Sequence, residues 1–148
     1  MVWKPHVTVA AVIERDGEFL MVEEIAEQQA VYNQPAGHLE DDETFVDAVI
    51  REVQEETAWQ FIPDAITGIY RWRKPDDNKT FVRICFTGIL GEHTPAQKLD
   101  IGIIAAPWLA RDELLALPAS RLRSPMVKLC LEDYLAGKRY PLDMITEL

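Results

Sequence analysis

The chain has 148 residues, of which 48% are hydrophobic and 27% charged. That balance predicts a globular protein, one domain over residues 1–148 with one core, and excludes collagen-like and intrinsically disordered classes. Twenty-five acidic residues against 15 basic give a formal net charge of −10, which repels nucleic-acid backbones, and no local basic patch offsets it.

Apolar runs are short: Val7–Ile13 is among the longest, far below the ~18 residues of a membrane span. The segment Met1-Val2-Trp3-Lys4-Pro5-His6 lacks the apolar core of a secretion signal. The expected partner is therefore a small molecule, with no nucleic acid and no membrane, and the expected location is cytoplasmic. Cys85 and Cys130 lie far apart, each in an apolar context, and read as two reduced, buried thiols.

In chain order, His6–Ile13 is almost wholly apolar and β-branched, as a strand buried on both faces is. Asp16-Gly17 signals a hairpin turn, and Glu18–Glu23 returns as a strand. Glu24–Ala30 reads as a polar loop. Asn33-Gln34-Pro35-Ala36-Gly37-His38 reads as a second loop with special backbone geometry. Asp41 and Asp42 are N-cap candidates for a helix from about Glu43 to Thr57, whose apolar stripe is Val46, Val49, Ile50 and Val53. Ile66–Arg73 and Thr80–Leu90 are strands about a turn at Pro75-Asp76-Asp77-Asn78, and Ile101–Trp108 is a further strand. Helices follow over about Arg111–Leu117 and Pro125–Ala136, the latter closed by Gly137. Strands before and between helices predict an α+β fold with a mixed sheet covered by helices.

The chemistry concentrates in 37–59. On a helix, Glu52, Glu55 and Glu56 fall within one ~100° sector beside the apolar stripe. They lie in the last turns, where the macrodipole is negative and cations are preferred. Like charges at these spacings repel by about 0.2–0.5 kcal/mol per pair. Two readings stay open on the residues alone: a solvated acidic face, or a site for divalent cations. Hard carboxylate oxygens without nearby His or Cys suit Mg²⁺, with Mn²⁺ as the close substitute, better than Zn²⁺.

Gly37, five residues, Glu43, seven residues, then Arg51-Glu52-Val53-Gln54-Glu55-Glu56 resembles the Nudix box, and Gln34-Pro35-Ala36-Gly37-His38-Leu39-Glu40 resembles the loop before it. The resemblance implies a Nudix fold, an α/β/α sandwich with a mixed β-sheet between helices. It also implies a divalent-metal-dependent hydrolase of phosphoric anhydrides. By the same resemblance Glu52 and Glu56 are the principal metal ligands and catalytic residues. Glu55 binds a second ion or a bridging water, and the Ala36 or Gly37 carbonyl completes the metal shell. Arg51 and Glu43 read as a structural pair, with direct phosphate contact by Arg51 the alternative. Substitution at phosphorus needs phosphate charge neutralised, a water made nucleophilic, and a carboxylate to take its proton. Glu52 is the first candidate for that base, with Glu56, Glu92 and Asp100 as the others. One position departs from the pattern: Ala58 stands where the box has Gly.

Outside the box, Arg83 lies mid-strand and calls for an anionic partner, either a substrate phosphate or an internal carboxylate. Trp72 and Tyr32 read as core packing or as stacking surfaces for a heteroaromatic ring. Arg123-Ser124-Pro125 precedes a helix and reads either as a simple N-cap or as a phosphate contact. Arg83, Trp72 and Arg123 are thus the substrate-binding candidates.

Lys4-Pro5-His6-Val7-Thr8-Val9-Ala10, Leu122-Arg123-Ser124-Pro125 and Arg139-Tyr140-Pro141-Leu142, with the loop before the box, are similar to the NudJ-type Nudix phosphatases. That subgroup implies release of phosphate from nucleoside tri- and diphosphates and from hydroxymethylpyrimidine diphosphate; apart from the resemblance, the expected assembly is a monomer or a homodimer. The alternatives are a Nudix pyrophosphatase for nucleoside diphosphate sugars or dinucleoside polyphosphates, and a non-catalytic Nudix-like metabolite sensor.

Overall fold

The computed structural model describes all 148 residues. Ten strands are built: β1 (His6–Val12), β2 (Glu14–Arg15), β3 (Glu18–Leu20), β4 (Val22–Ala26), β5 (Gln29–Asn33), β6 (Ala36–His38), β7 (Trp59–Arg73), β8 (Thr80–His93), β9 (Ile103–Ala105) and β10 (Trp108–Ala110). The helices are α1 (Phe45–Thr57), α2 (Arg111–Leu115) and α3 (Pro125–Leu135). No helix is long and apolar enough to cross a membrane.

The central sheet is mixed, in the order β6-β1-β8-β7, with β1 and β8 parallel and the other neighbours antiparallel. Alternation along β1 divides the core in two. Val9, Ala11 and Ile13 face Ala48, Val49 and Val53 of α1, with Ile84 and Phe86 beside them. Ala10 and Val12 face Val127, Cys130 and Leu131 of α3, with Cys85 beside them. Helices thus cover both faces of a mixed sheet, the α+β Nudix architecture that the box implies. The strand expected over His6–Ile13 is buried on both faces for this reason.

Several local expectations need correction. The Glu24–Ala30 stretch is not a loop: β4 and β5 form a hairpin through Glu27 and Gln28, at φ 51° and 67°. This is the double positive φ of a type I′ turn, formed here without the Asn or Gly that usually marks it. Asp16-Gly17, at φ 54° and 80°, makes the same kind of turn with the expected residues. The N-cap of α1 is Thr44, whose hydroxyl accepts the Asp47 N–H at 3.0 Å, rather than Asp41 or Asp42. β7 begins at Trp59 rather than Ile66, because three register shifts break its two-residue period. The single strand expected over Ile101–Trp108 is two strands that join different sheets, β9 on β4 and β10 on β3, with Pro107 between them.

Both major helices end through a left-handed residue. Gly137 has φ 81° and donates to Tyr134 O, while Lys138 donates to Asp133 O, each at 3.0 Å. Ala58 holds φ 63° and ψ 17°, and its N–H reaches Gln54 O at 2.9 Å. The helix therefore ends as the box requires, with a Cβ in a backbone region that favours glycine. Ala58→Gly raises stability by about 0.5–1 kcal/mol, read as a thermal midpoint a few degrees higher. An unchanged or lower midpoint shows that packing of the buried methyl outweighs the backbone strain.

Candidate active site

The site begins with a pinned loop. Pro35 O accepts the Ala11 N–H at 3.1 Å, and Gln34 Nε2 donates to Val127 O at 2.8 Å. β6 then lays Ala36 and Gly37 beside α1, where Ala36 N–H donates to Glu56 Oε1 at 2.8 Å. A Cβ on Gly37 would collide with the Glu52 carboxylate. Glycine there lets the Glu52 carboxylate lie against the backbone, where any side chain would push it aside, and the backbone and two carboxylates form one cradle.

Glu52 and Glu56 are each only 7% exposed. They do not merely flank the buried stripe of α1. They are part of it, with Ala48, Val49 and Val53, whereas Val46 and Ile50 are only half-buried. Burial pushes the Glu52 carboxyl up to about 7, against the opposing pull of Arg51. Burial likewise pushes Glu56 up to about 8, against the Ala36 N–H and with the Glu52, Glu24 and Asp100 charges adding to the rise. Asp100 reaches this end of α1 because its N–H donates to Glu55 O at 2.9 Å. Glu92 is near the end of β8, with its N–H on Gln60 Oε1 at 3.3 Å, and is not among the charges that act on Glu52 or Glu56.

Arg51 is the cation of the cluster. Its Nε donates to Glu43 Oε2 at 2.6 Å, and its terminal nitrogens reach Glu43 Oε1 at 3.0 Å, Glu52 at 2.8 Å, Glu55 at 3.2 Å and the His38 carbonyl at 3.1 Å. The Arg51 hydrogen bond holds the Glu43 carboxyl below the usual carboxylate range. Glu43 also accepts the Glu40 N–H at 3.0 Å, so this pair ties the start of α1 to the loop before it.

No three carboxylates close on a common point as they stand, because Glu52 and Glu55 turn to Arg51 and Glu56 turns to Ala36. The donor set nevertheless fits a hard divalent cation. It offers two buried carboxylates that burial and mutual repulsion hold unfavourably charged, a third that is half exposed, and a backbone stripped of Cβ beside them. One arginine shared among several carboxylates leaves a surplus of negative charge for the cation to neutralise.

Trp72, Arg83 and Arg123 converge on a cavity of about 220 Å³ whose wall includes Ala36, Gly37 and Glu24. Arg83 does not have the anionic partner its position called for. It is 4% exposed, its terminal nitrogens donate to Gln34 Oε1 at 2.9 Å and Asn33 Oδ1 at 3.0 Å, and its Nε–H has no partner. Neutral amide oxygens orient the guanidinium without cancelling its charge. Arg123 pairs with Glu24 at 3.4 Å. Ser124 does cap α3, accepting the Met126 N–H at 3.2 Å. Tyr32 stands apart from this cavity, with the Arg121 guanidinium 5.4 Å above its ring.

Sequence reasoning missed Asn33, Gln34 and Glu24. The signal for the first two was present, since polar side chains beside a Pro-x-Gly turn in an apolar neighbourhood need partners. Glu24 was hidden by the hairpin read as a loop. Cys85 and Cys130 are free and buried, as expected.

Residues 4–130 match the NUDIX domain family. The chain is 44% identical over 143 residues to Phosphatase NudJ of Escherichia coli (strain K12), covering 97% of this chain and 92% of that protein. Its fold is similar to a NUDIX hydrolase from Nitrosomonas europaea, with TM-score 0.94, 47% identity and 98% of each chain covered. A MutT NUDIX hydrolase from Burkholderia pseudomallei shares the fold at TM-score 0.74 and 21% identity, over 88% of this chain and 98% of that one. With its box, mixed sheet and flanking helices, the chain belongs to the Nudix family and is a Nudix hydrolase.

Proposed function

We propose that residues 1–148 form one Mg²⁺-dependent phosphohydrolase unit that releases phosphate from small diphosphate-containing metabolites, nucleoside di- and triphosphates and the diphosphate of a thiamine-type pyrimidine among them. Nudix hydrolases generally use divalent metals, and Glu52, Glu55, Glu56 and the carbonyls of Ala36 and Gly37 are the donors that would hold one here. Bound there, the cation would neutralise phosphate oxygens and make water a competent nucleophile near neutral pH.

The chain's own residues do the rest. Arg51 holds Glu52 and Glu55 at the mouth of the cradle. Glu56 is fixed to the loop through Ala36. Glu52 takes the proton of the attacking water as the new P–O bond forms and the anhydride P–O bond breaks. Arg83, Trp72 and Arg123 hold the substrate in the adjoining cavity. Two free, buried thiols suit a reducing compartment, the cytoplasm.

One observation carries this reading: two carboxylates buried against a Cβ-less backbone, beside a cavity that also holds an arginine without an anionic partner. The similarity to a protein called Phosphatase NudJ supports the release of phosphate as the outcome.

The test identifies the products (inorganic phosphate, pyrophosphate, nucleotides and sugar phosphates) with and without Mg²⁺ on a panel of nucleoside di- and triphosphates, hydroxymethylpyrimidine diphosphate, nucleoside diphosphate sugars and dinucleoside polyphosphates. Release of inorganic phosphate from the nucleoside di- and triphosphates and from hydroxymethylpyrimidine diphosphate, abolished by chelation, is expected. Turnover confined to the sugars and dinucleotides, or turnover indifferent to chelation, overturns the proposal.

A further inference from the structure

Trp72, Arg123 and Ser124 line the 220 Å³ cavity beside the box and also a second cavity of about 610 Å³. The two are therefore neighbouring compartments that share this wall. The first has room for about seven water volumes at ~30 Å³ each, which suits phosphate groups and falls below the usual size of an organic ligand's pocket. The second lies well within that size range. It sits between the start of α3, the end of the β7 strand and the β4–β5 hairpin.

Its charge is balanced. Lys74, Arg123 and Lys128 line it against Glu27, Asp76 and Glu132. The lysines already have carboxylate neighbours, Lys74 with Glu27 at 3.5 Å and Lys128 with Glu132 at 3.9 Å. Such a wall carries no net charge to attract a second run of phosphates. It suits a neutral, polar organic group.

The dividing residue is built for a planar partner. Trp72 stacks on Phe81 with ring centroids 5.8 Å apart and planes 25° apart, and Phe81 stacks on His6 at 5.1 Å and 27°. These side chains stand on adjacent strands in register, Trp72 opposite Phe81 and Phe81 beside His6. The row holds the indole from one side, while Trp72 remains half-buried at the junction of the two compartments. A pre-set aromatic face costs a ligand little ordering entropy.

Resting on the proposed phosphohydrolase reading, we infer that the larger cavity holds the organic group of the substrate, that Trp72 stacks its heteroaromatic ring, and that Trp72 is therefore a specificity-determining residue. The favoured substrate class is a ring-bearing diphosphate with its phosphates beside Gly37 and its ring beyond Trp72. Arg123 stands where the phosphates meet the organic group.

The test compares binding of two non-hydrolysable probes, an α,β-methylene nucleoside diphosphate and methylenediphosphonate, in the presence of Mg²⁺. The proteins are the wild type, Trp72→Leu and Ser120→Trp. Ser120 is exposed and lines only the larger cavity, so its replacement fills that space without touching the core. The wild type should prefer the nucleoside probe, and each variant should reduce that preference at least about fivefold, the scale of one lost base–aromatic stack. An unchanged preference in both variants overturns the inference. So does a wild type that binds both probes equally, which leaves the diphosphate reading standing. A wild type that binds neither probe overturns that reading and the inference with it.

Discussion

Glu56→Gln and Glu52→Gln each lower turnover at least about a hundredfold, the scale expected when metal-assisted catalysis is lost, and neither unfolds the protein. The substitution keeps shape and removes charge. In Glu56→Gln the amide oxygen can still accept the Ala36 N–H that Glu56 accepts at 2.8 Å, so the loop stays attached to α1. In Glu52→Gln the amide oxygen can still accept from Arg51. Burial already holds both carboxyls near neutrality, at about 7 and about 8. A neutral amide therefore relieves a cost in the metal-free protein, which should melt no lower than wild type at pH 8. Glu55 is different, since its side chain is 44% exposed. Glu55→Gln should cost less, about tenfold, as the loss of a solvated contributor does. Phosphate-release rates and thermal melts on the same samples check all three variants. Near-normal turnover in Glu52→Gln or Glu56→Gln removes that residue from the ligand set.

What the sequence made legible is what is local along the chain. The spacing from Gly37 to Glu56 lies within one loop and one helix, so helical periodicity alone places the three carboxylates together. β1 was legible because burial on both faces leaves an unbroken apolar run. The substrate cavity was not legible as a place. Arg83 meets Gln34 and Asn33 across separations of 49 and 50 residues, and only the β7–β8 pairing and the seating of α3 bring Trp72 and Arg123 to the same wall. Residue types gave the candidates, but non-local pairing decided who meets whom. The β4–β5 hairpin escaped because Glu27 and Gln28 adopt positive φ without a turn residue's signature. The degree of burial of Glu52 and Glu56 escaped too, since periodicity puts them at the edge of the stripe and the approach of Gly37 makes them part of it.

Arg51→Met should destabilise the metal-free protein by about 2–3 kcal/mol near pH 8, below the 3–5 kcal/mol of a fully buried broken pair because the cluster retains some solvent. Arg51 is the cation shared by Glu43, Glu52 and Glu55, with Glu40 a further 3.4 Å contact. The sign with pH follows from how each carboxyl is shifted. Glu52 and Glu56 are raised in the folded state, so their cost is absent below the ordinary glutamate range, grows as pH climbs from there, and levels off above about 7 and about 8. Glu43 is lowered by its bond to Arg51, so its contribution is present above that range and fades on acidification. Removing Arg51 abolishes the second effect and deepens the Glu52 part of the first, since Arg51 opposes that rise. The deficit of the variant should therefore be small near pH 4 and widen steadily toward pH 8. Mg²⁺ should narrow it again, because the site that has lost its arginine holds more uncompensated negative charge and binds the cation more tightly, each tenfold in affinity adding about 1.4 kcal/mol to the variant's folded state relative to wild type. Denaturant melts across that pH range, with and without Mg²⁺, make the measurement. A deficit that is flat with pH means that Arg51 acts by packing, and a midpoint that Mg²⁺ leaves unmoved means that this crowd of carboxylates is not gathered for a cation.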